Sequence, residues 1–447
     1  MKTNRIKTLL TAVLLSLCAS VSAYDFTVDG LYYNIVSLEN LTCEITYGDN
    51  GNKYSGDIII PETVTYNNKT LTVVGIDSYA FYYCSELSSV IIPQTVTYIG
   101  SQAFMVCGAI TGITIPSSVT FIGKKAFEEC KNLNDIILED GDETLEWEYD
   151  EYTNHTIFYD CPIDSLYIGR NLLCKKDYEY KLFENSSVKK LTVGNTITEI
   201  EDYSFYGCKN LIEISLGNSV ITIGKHAFSY CDNLTEISIP NSVTTIDEGA
   251  FSYCDNLTEI SIPNSVTTIG ESAFRNCDNL TEISLPNSVT TIGESAFYDC
   301  ENLTKVSLGN SVTKIGDFAF KDCENLTEIS LGKSVAEIGS GALSRCENLT
   351  TIYSLNPTPP TFESDEFTNK QYINMNVYVA KGSLAAYQTA DIWKNFWNLQ
   401  EYSTDTGIGN ITVDGVQENK IYDLQGRKLD APQHGINIIN GKKVLVK

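Results

Sequence analysis

CDNLTEISIPNSVTTIGESAF, residues 254–274, is preceded from Cys231 by CDNLTEISIPNSVTTIDEGAF and followed from Cys277 by CDNLTEISLPNSVTTIGESAF. Cysteines mark the period. They stand at positions 84, 107 and 130, and again at 208, 231, 254, 277, 300, 323 and 346, in steps of 23 residues. The interval from Cys130 to Cys161 is one period plus eight residues. That from Cys161 to Cys208 is two periods plus one, with Asn185 at the intermediate place. A fixed step of this size signals stacked supersecondary units, not the two or three globular domains that 447 residues would otherwise suggest.

Within one unit, Leu257, Ile260 and Ile262 follow the spacing L-x-x-I-x-I. The alternation predicts a short strand with Ile260 and Ile262 inward and Glu259 and Ser261 outward. Pro263 ends it, having no N–H to donate. Val266 and Ile269 form a second short extended piece, Gly270 supplies a permissive corner, and Ala273 and Phe274 open a helical turn leading to Cys277. Eight inward residues of 23 give each coil on the order of 10 kcal/mol of apolar burial, available only against a neighbouring coil. Repetition is how so short a coil acquires a core.

The chain holds 14 cysteines, one of them (Cys18) in the leader. That leaves an odd number, placed one per coil and without a C-x-x-C pair. This favours a ladder of buried thiols over disulfides, zinc or redox chemistry. Asn233, Asn256, Asn279, Asn302, Asn325 and Asn348 lie two residues after each Cys, as an amide ladder that serves backbone groups at the turn.

Net charge is −26 and the pI near 4.4, which argues against nucleic acid and against anionic lipid. The N-terminus reads as an export signal over residues 1–23: Lys2, Arg5 and Lys7, an apolar run Leu9–Leu17 too short to span a bilayer, and a small-x-small site at Val21-Ser22-Ala23. The rival is a lipoprotein signal at Cys18, for which Leu17 is too bulky. No later segment is long and apolar enough to insert in a membrane.

The units resemble the 23-residue BspA-like, or Treponema-type, leucine-rich repeats of bacterial surface proteins, carried by LTEISIPNSVTTIGESAFRNC (257–277) and its copies over residues 55–370. YDFTVDGLYYNIVS through YSGDIIIPETV resembles the family's N-terminal cap (24–54). VYVAKGSLAAYQTADIWKNFWNLQEY (377–402) is similar to its closing segment, within a C-terminal cap over 371–402. There an amphipathic helix with Leu384, Tyr387, Ile392, Trp393 and Phe396 would cover the last coil. The tail 403–447 resembles small β modules of secreted Bacteroidetes proteins. A sorting role and a plain β unit are both open for it. The resemblance implies an α+β repeat protein: a single leucine-rich-repeat solenoid of about 12–13 coils with a parallel β-sheet on one face and short helical turns on the other. It also implies a protein-binding or adhesion role, exported to the cell surface or secreted.

Two departures from the repeat are candidate contact sites. Residues 139–152, EDGDETLEWEYDEY, hold eight carboxylates with Trp147, Tyr149 and Tyr152. They read either as a solvated loop or as a contact loop for a cationic partner; the D-x-D-x-D-G spacing of a Ca²⁺ loop is absent. The second is the outward strand position. Glu213, Glu236, Glu259, Glu282 and Glu328 recur there, with Lys305 between the last two. Neighbouring carboxylates about 5 Å apart invite a basic partner, whereas repeat duplication alone would leave them harmless. Earlier coils carry Ile91, Ile137 and Tyr167 at outward positions, so the face grades from apolar to acidic.

No catalytic constellation emerges. His155, His226 and His434 stand outside H-E-x-x-H, and there is no G-x-S-x-G elbow, phosphate loop or dinucleotide fingerprint. The expectation is a non-catalytic, cofactor-free monomer whose sheet face binds a protein or glycan of basic character from a host or neighbouring bacterium. The alternative is a passive structural envelope protein.

Overall fold

The computed structural model describes residues 23–48, 54–148, 150, 155–175, 183 and 186–402, and the tail strands Ile421–Tyr422, Lys428–Leu429, Gly435–Ile439 and Lys442–Val446. The export signal, Cys18, Tyr149 and Tyr152 lie outside the described residues. The chain divides into two compact units, 1–263 with 270–280, and 264–269 with 281–447.

Each unit is a stack of coils joined by parallel strands. In the first, seven strands pair in chain order from Gly112–Ile115 to Glu259–Ser261. In the second, six run from Glu282–Ser284 to Asn398–Glu401. Register follows the repeat: Glu236 faces Glu259, Ile237 faces Ile260 and Ser238 faces Ser261. Each residue therefore meets its own counterpart one coil away, which is why a 23-residue period is kept so strictly. The second extended piece also pairs. Thr222–Ile223 lies on Thr245–Ile246 in the first unit, and Thr268–Ile269 on Thr291–Ile292 in the second. Each coil thus contributes to two parallel ladders.

The inward residues are those the spacing indicates. Cys254, Leu257, Ile262, Val266, Ile269, Ala273 and Phe274 are buried, and Ile260 half-buried. The phenylalanines stack from coil to coil, Phe228 on Phe251 at 5.5 Å and Phe251 on Phe274 at 5.5 Å between centroids.

The third side of the coil departs from expectation. No helix forms at Ala273–Cys277. Ser272 and Asn276 both take φ of +54°, and the same pair of left-handed positions recurs at Gln102 and Val106, at Ser295 and Asp299, and at Phe318 and Asp322. Left-handed residues four apart make consecutive tight turns and cannot propagate a helix. At non-glycine residues, β-branched Val106 above all, they cost on the order of 1 kcal/mol each. The compensation is a third row of hydrogen bonds between coils: Phe251 N–H donates to the Ala273 carbonyl at 2.8 Å and Tyr253 N–H to that of Arg275 at 2.7 Å. Gly270 is kept for space and not for φ, since a Cβ there would sit 2.5 Å from the Asp247 carbonyl carbon.

The cysteines form the expected ladder. All twelve described ones are free and buried. Thiols of the regular coils donate back to phenylalanine carbonyls, Cys254 to Phe228 at 3.2 Å and Cys277 to Phe251 at 3.2 Å. Burial raises the pKa of Cys231 and Cys254, which makes them inert thiols. The amide ladder is present too: Asn256 Nδ2 donates to the Asp232 carbonyl at 2.8 Å and Asn279 Nδ2 to that of Asp255 at 2.9 Å.

At the N-terminal end an antiparallel meander, Phe26–Val28, Leu31–Ser37 and Thr42–Thr46, turns into the stack when its third strand pairs parallel with Lys69–Ile76. At the C-terminal end the continuous amphipathic helix is absent. A helix Asn369–Asn374 carries a Thr368/Gln371 capping box. Leu384–Tyr387 makes a single turn, and the chain breaks at Ile392 (φ +68°) before a 3₁₀ turn at Trp393–Asn395. Tyr387, Trp393 and Phe396 are nevertheless buried, with the Trp393 indole donating to the Pro360 carbonyl at 2.7 Å. In the tail, Gly435–Ile439 and Lys442–Val446 pair antiparallel as the hairpin that N-G at 440–441 suggests.

Candidate functional site

Strand period places both Glu259 and Ser261 outward, and the candidate face consists of two such rows. In the first unit one row runs Gly112, Asp135, Ser165, Lys190, Glu213, Glu236, Glu259, and the other Thr114, Ile137, Tyr167, Thr192, Ser215, Ser238, Ser261. Ile137 and Tyr167 therefore stand beside the acidic row and not in it. Each lies two residues further along its strand than the place equivalent to Glu259.

The acidic row is partly neutralised. Lys190 Nζ pairs with Glu213 at 2.9 Å. In the second unit Lys305 Nζ, set between Glu282 and Glu328 in register, pairs with Glu328 at 2.9 Å. Glu236, Glu259 and Glu282 are exposed, and among the described residues no cation pairs with them. The other ladder cations follow the same rule of pairing one period away: Lys209 with Asp232, Lys225 with Glu248, Lys314 with Glu337 and Arg345 with Asp322. These cations are consumed inside the array, while the surplus acids face outward.

Two expected contact residues serve other ends. Trp147 is 2% exposed. It lies in a strand, Leu145–Glu148, that pairs on both sides, and its ring meets Phe183 edge-on at 5.6 Å. The stretch 139–152 is thus not a solvated loop throughout: its Leu145 and Trp147 alternate inward and fill the core of an enlarged coil. Asp150 is buried and pairs with Lys125 at 2.8 Å. His155 Nδ1 lies 2.8 Å from Glu128 with its ring on Tyr159. The Tyr167 phenol donates to Asp140 at 2.7 Å, and that bond to a carboxylate raises its pKa.

A second acidic row escaped the sequence reading. Asp232, Asp255 and Asp278 follow the cysteines of the first unit, as do Glu301, Glu324 and Glu347 in the second. Burial first, and the neighbouring Asp232 carboxylate second, push the Asp255 carboxyl up. The signal was the recurring C-D-N-L itself. Also missed is an aromatic group on the strand face of the second unit: Tyr353 stacks on Tyr378 at 5.0 Å and meets Tyr402 edge-on at 5.7 Å. These coils are less alike, so no periodic pattern draws the eye to them.

A family model described as the BspA type leucine rich repeat region matches in six copies over residues 57–173, 176–300 and 244–374. The chain belongs to the BspA-type leucine-rich-repeat family. A leucine-rich repeat protein from Bacteroides ovatus shares 27% identity over 85% of this chain and 100% of that one, with a TM-score of 0.51. A leucine rich cell surface protein from Faecalibacterium prausnitzii shares 27% over 79% and 98%, with a TM-score of 0.34. The leucine rich repeat protein of T. pallidum shares 35% over 36% of this chain and 78% of its own, with a TM-score of 0.35. No curated protein matches. The BspA-type family is one of repeat scaffolds with interaction or adhesion roles, generally non-catalytic. Among the described residues no helix is long and apolar enough to cross a membrane, and no cluster of His, Cys, Asp or Glu could hold a metal.

Proposed function

We propose that this chain is a non-catalytic binding protein of the cell surface or its surroundings, and that its strand face engages a partner protein of basic character. The carrying observation is the set of exposed, unpaired carboxylates, Glu236 and Glu259 in the first unit and Glu282 in the second, on strands whose neighbouring lysines are already paired. In each unit, exposed carboxylates of this kind attract a basic surface and speed encounter. The export signal read over residues 1–23 supports the placement, and the similar chain from Faecalibacterium prausnitzii is itself a cell surface protein. Surface plasmon resonance of the full chain over immobilised matrix proteins and mucin tests it. Binding should weaken about tenfold between about 50 and about 500 mM salt. The triple variant E236Q/E259Q/E282Q should bind roughly fivefold more weakly at low salt, with its melting temperature unmoved. Equal binding by variant and parent at low salt would refute the assignment.

A further inference from the structure

Five strands at the start of the first unit's stack carry a surface of different chemistry from the acidic row. Ile59 is 67% exposed, Ile91 59% and Ile137 43%. Register sets them in one row. On Gly56–Ile59 and Leu87–Ile91, Ile59 faces Ile91. On Gly112–Ile115, Asp135–Leu138 and Ser165–Ile168, Thr114 faces Ile137, which in turn faces Tyr167. Leu87–Ile91 lies against Gly112–Ile115. Ile91 and Thr114 hold the same place in coils one period apart, joined beneath by the Phe81–Phe104 stack at 4.8 Å between centroids. At about 4.8 Å per strand the row spans roughly 19 Å.

Strand phase holds the row in place. The residues on either side of Ile91 (Val90 and Ile92) and of Ile137 (Ile136 and Leu138) are buried, so the exposed isoleucines cannot turn inward without emptying the core. Carboxylates stand beside them. Asp57 and Asp135 lie two residues before Ile59 and Ile137, in the neighbouring outward row. The Ser89 and Ser88 hydroxyls donate to Asp57 at 2.7 and 2.9 Å and hold its carboxyl below the usual range. Gly112 faces Asp135 in register, and a Cβ there would meet Asp135 alone, so the floor beside that carboxylate is bare. None of the five strands holds a Lys or Arg. A contiguous exposed apolar row marks a contact surface, and β-branched side chains lose little rotamer freedom when covered. A second copy of this chain would bring its own Asp57 and Asp135 against the same carboxylates, which like-charge repulsion opposes.

We infer that Ile59, Ile91 and Ile137 anchor a row of aliphatic side chains on a basic protein partner, whose Lys or Arg side chains meet Asp57 and Asp135. The inference rests on the reading of the strand face as a binding surface for a basic protein, and it narrows the partner. That protein is amphipathic: it presents apolar side chains to this end of the first unit's strands and basic ones toward Glu236 and Glu259. Covering the isoleucines supplies affinity that salt does not screen, while the carboxylates select the sign of the partner's charge.

Fluorescence anisotropy of three synthetic peptides titrated with the full chain tests it. Each has about 14 residues, long enough as a helix to span the row. One places leucines on one helical face and lysines on the other, the second replaces its leucines with serine, and the third replaces its lysines with glutamate. At about 500 mM salt the Leu/Lys peptide should still bind, at least tenfold more tightly than the Ser/Lys peptide. At about 50 mM salt it should bind at least tenfold more tightly than the Leu/Glu peptide. I59S/I91S, at exposed positions that leave the melting temperature unmoved, should weaken Leu/Lys binding about tenfold at the higher salt. I221S, at an exposed isoleucine off the row, and E236Q/E259Q/E282Q should match the parent there within about twofold. Leu/Lys binding no tighter than Ser/Lys at the higher salt overturns the inference. So does affinity unchanged in I59S/I91S or lowered as much by I221S, and so does Leu/Glu binding equal to Leu/Lys at the lower salt. A parent that sediments as a dimer, with I59S/I91S a monomer, would assign the row to a second copy and overturn it equally. Leu/Lys binding at the lower salt that is lost in I59S/I91S but untouched in E236Q/E259Q/E282Q supports the row and counts only against the acidic-row assignment.

Discussion

A coil that meets a copy of itself and a coil that meets something else solve the same problem by different means. Between Cys231 and Cys277 the recurring polar rows find their partners by repetition: thiol to carbonyl, Asn amide to carbonyl, Phe N–H to Ala carbonyl, each in a neighbouring coil. Where the array is interrupted, single residues made to measure replace these rows. At the insertion, Arg170 is fully buried and its guanidinium donates to the carbonyls of Pro116, Ser117 and Val119 at 2.7–2.8 Å. At the C-terminal end, Ser364 and Glu366 take the place of the next coil. Gly341 N–H donates to Ser364 Oγ at 3.0 Å, and Ala342 and Leu343 N–H donate to the two Glu366 carboxylate oxygens. In the regular coils the equivalents of the first and third, Gly249 and Phe251, donate to the carbonyls of Glu271 and Ala273. Repetition spreads the burden thinly; interruption concentrates it.

The difference is sharpest at Arg170. Burial lowers its pKa to about 10, so it is still a cation at neutral pH, and its partners are backbone carbonyls of an earlier coil. Replacing it with methionine keeps most of the volume but takes the guanidinium donor from the Ser117 and Val119 carbonyls and leaves Pro116 with the Val119 N–H alone. Each such loss costs roughly 1–3 kcal/mol, so R170M should lose about 3 kcal/mol or more in denaturant unfolding of the first unit. A loss below about 1 kcal/mol would mean that the interrupted coil is no more concentrated than the regular ones.

Glu366 gives the next largest effect, and a signed one. Burial pushes its carboxyl up to about 7, against the N–H donors that pull it down. A carboxyl whose folded pKa lies above its unfolded value contributes stability that is complete below about 4.5 and is lost as pH rises through about 7. The stability gap between parent and E366Q, followed by thermal melts across that window, should therefore move by about 2 kcal/mol in favour of the glutamine form. A gap that stays flat, or that moves toward the parent, would show that the carboxylate is the preferred stop for the row.

These contrasts also explain how much of the molecule could be read from its sequence. The spacing of Cys254, Leu257, Ile260, Ile262, Val266, Ile269 and Phe274 dictates the coil, because a residue that recurs every 23 positions must face its own copy. The missed third side follows from backbone conformation. Ser272 carries no residue-type signal for a left-handed φ and Asn276 only a weak one, and Ala-Phe beside them reads as readily as a helix. Trp147 was misjudged because eight carboxylates surround it in the sequence; burial is set by its strand phase with Leu145 and not by the charge of its neighbours. On the candidate face, Glu236, Glu259 and Glu282 were legible by offset from Cys. The pairing of Glu213 with Lys190 was not, because Lys190 stands in a coil with no Cys to mark it. Tyr353, Tyr378 and Tyr402 lie where the repeat has already decayed.

The smallest effect tests whether position or neighbourhood sets an interaction's worth. Asn256 donates to the Asp232 carbonyl at 2.8 Å from an exposed turn. Asn325 and Asn348 make the same bond in the second unit, to Glu301 and Glu324, each at 3.0 Å. Asn132 makes it to Gly108 at 2.6 Å in the coil that leads into the insertion. Water can replace a lost donor at an exposed carbonyl, so each Asn→Ala change should cost only about 0.5–1 kcal/mol. Asn256 also accepts from Asn279 at 3.2 Å, which places it at the upper end of that range. If the bond is a property of the turn, N132A, N325A and N348A should agree within about 0.5 kcal/mol in denaturant unfolding, although Asn132 neighbours an irregular coil. A markedly larger loss at Asn132 would show that the interruption already strains the coil before it. The contrast between regular and interrupted coils would then be a gradient instead of a boundary.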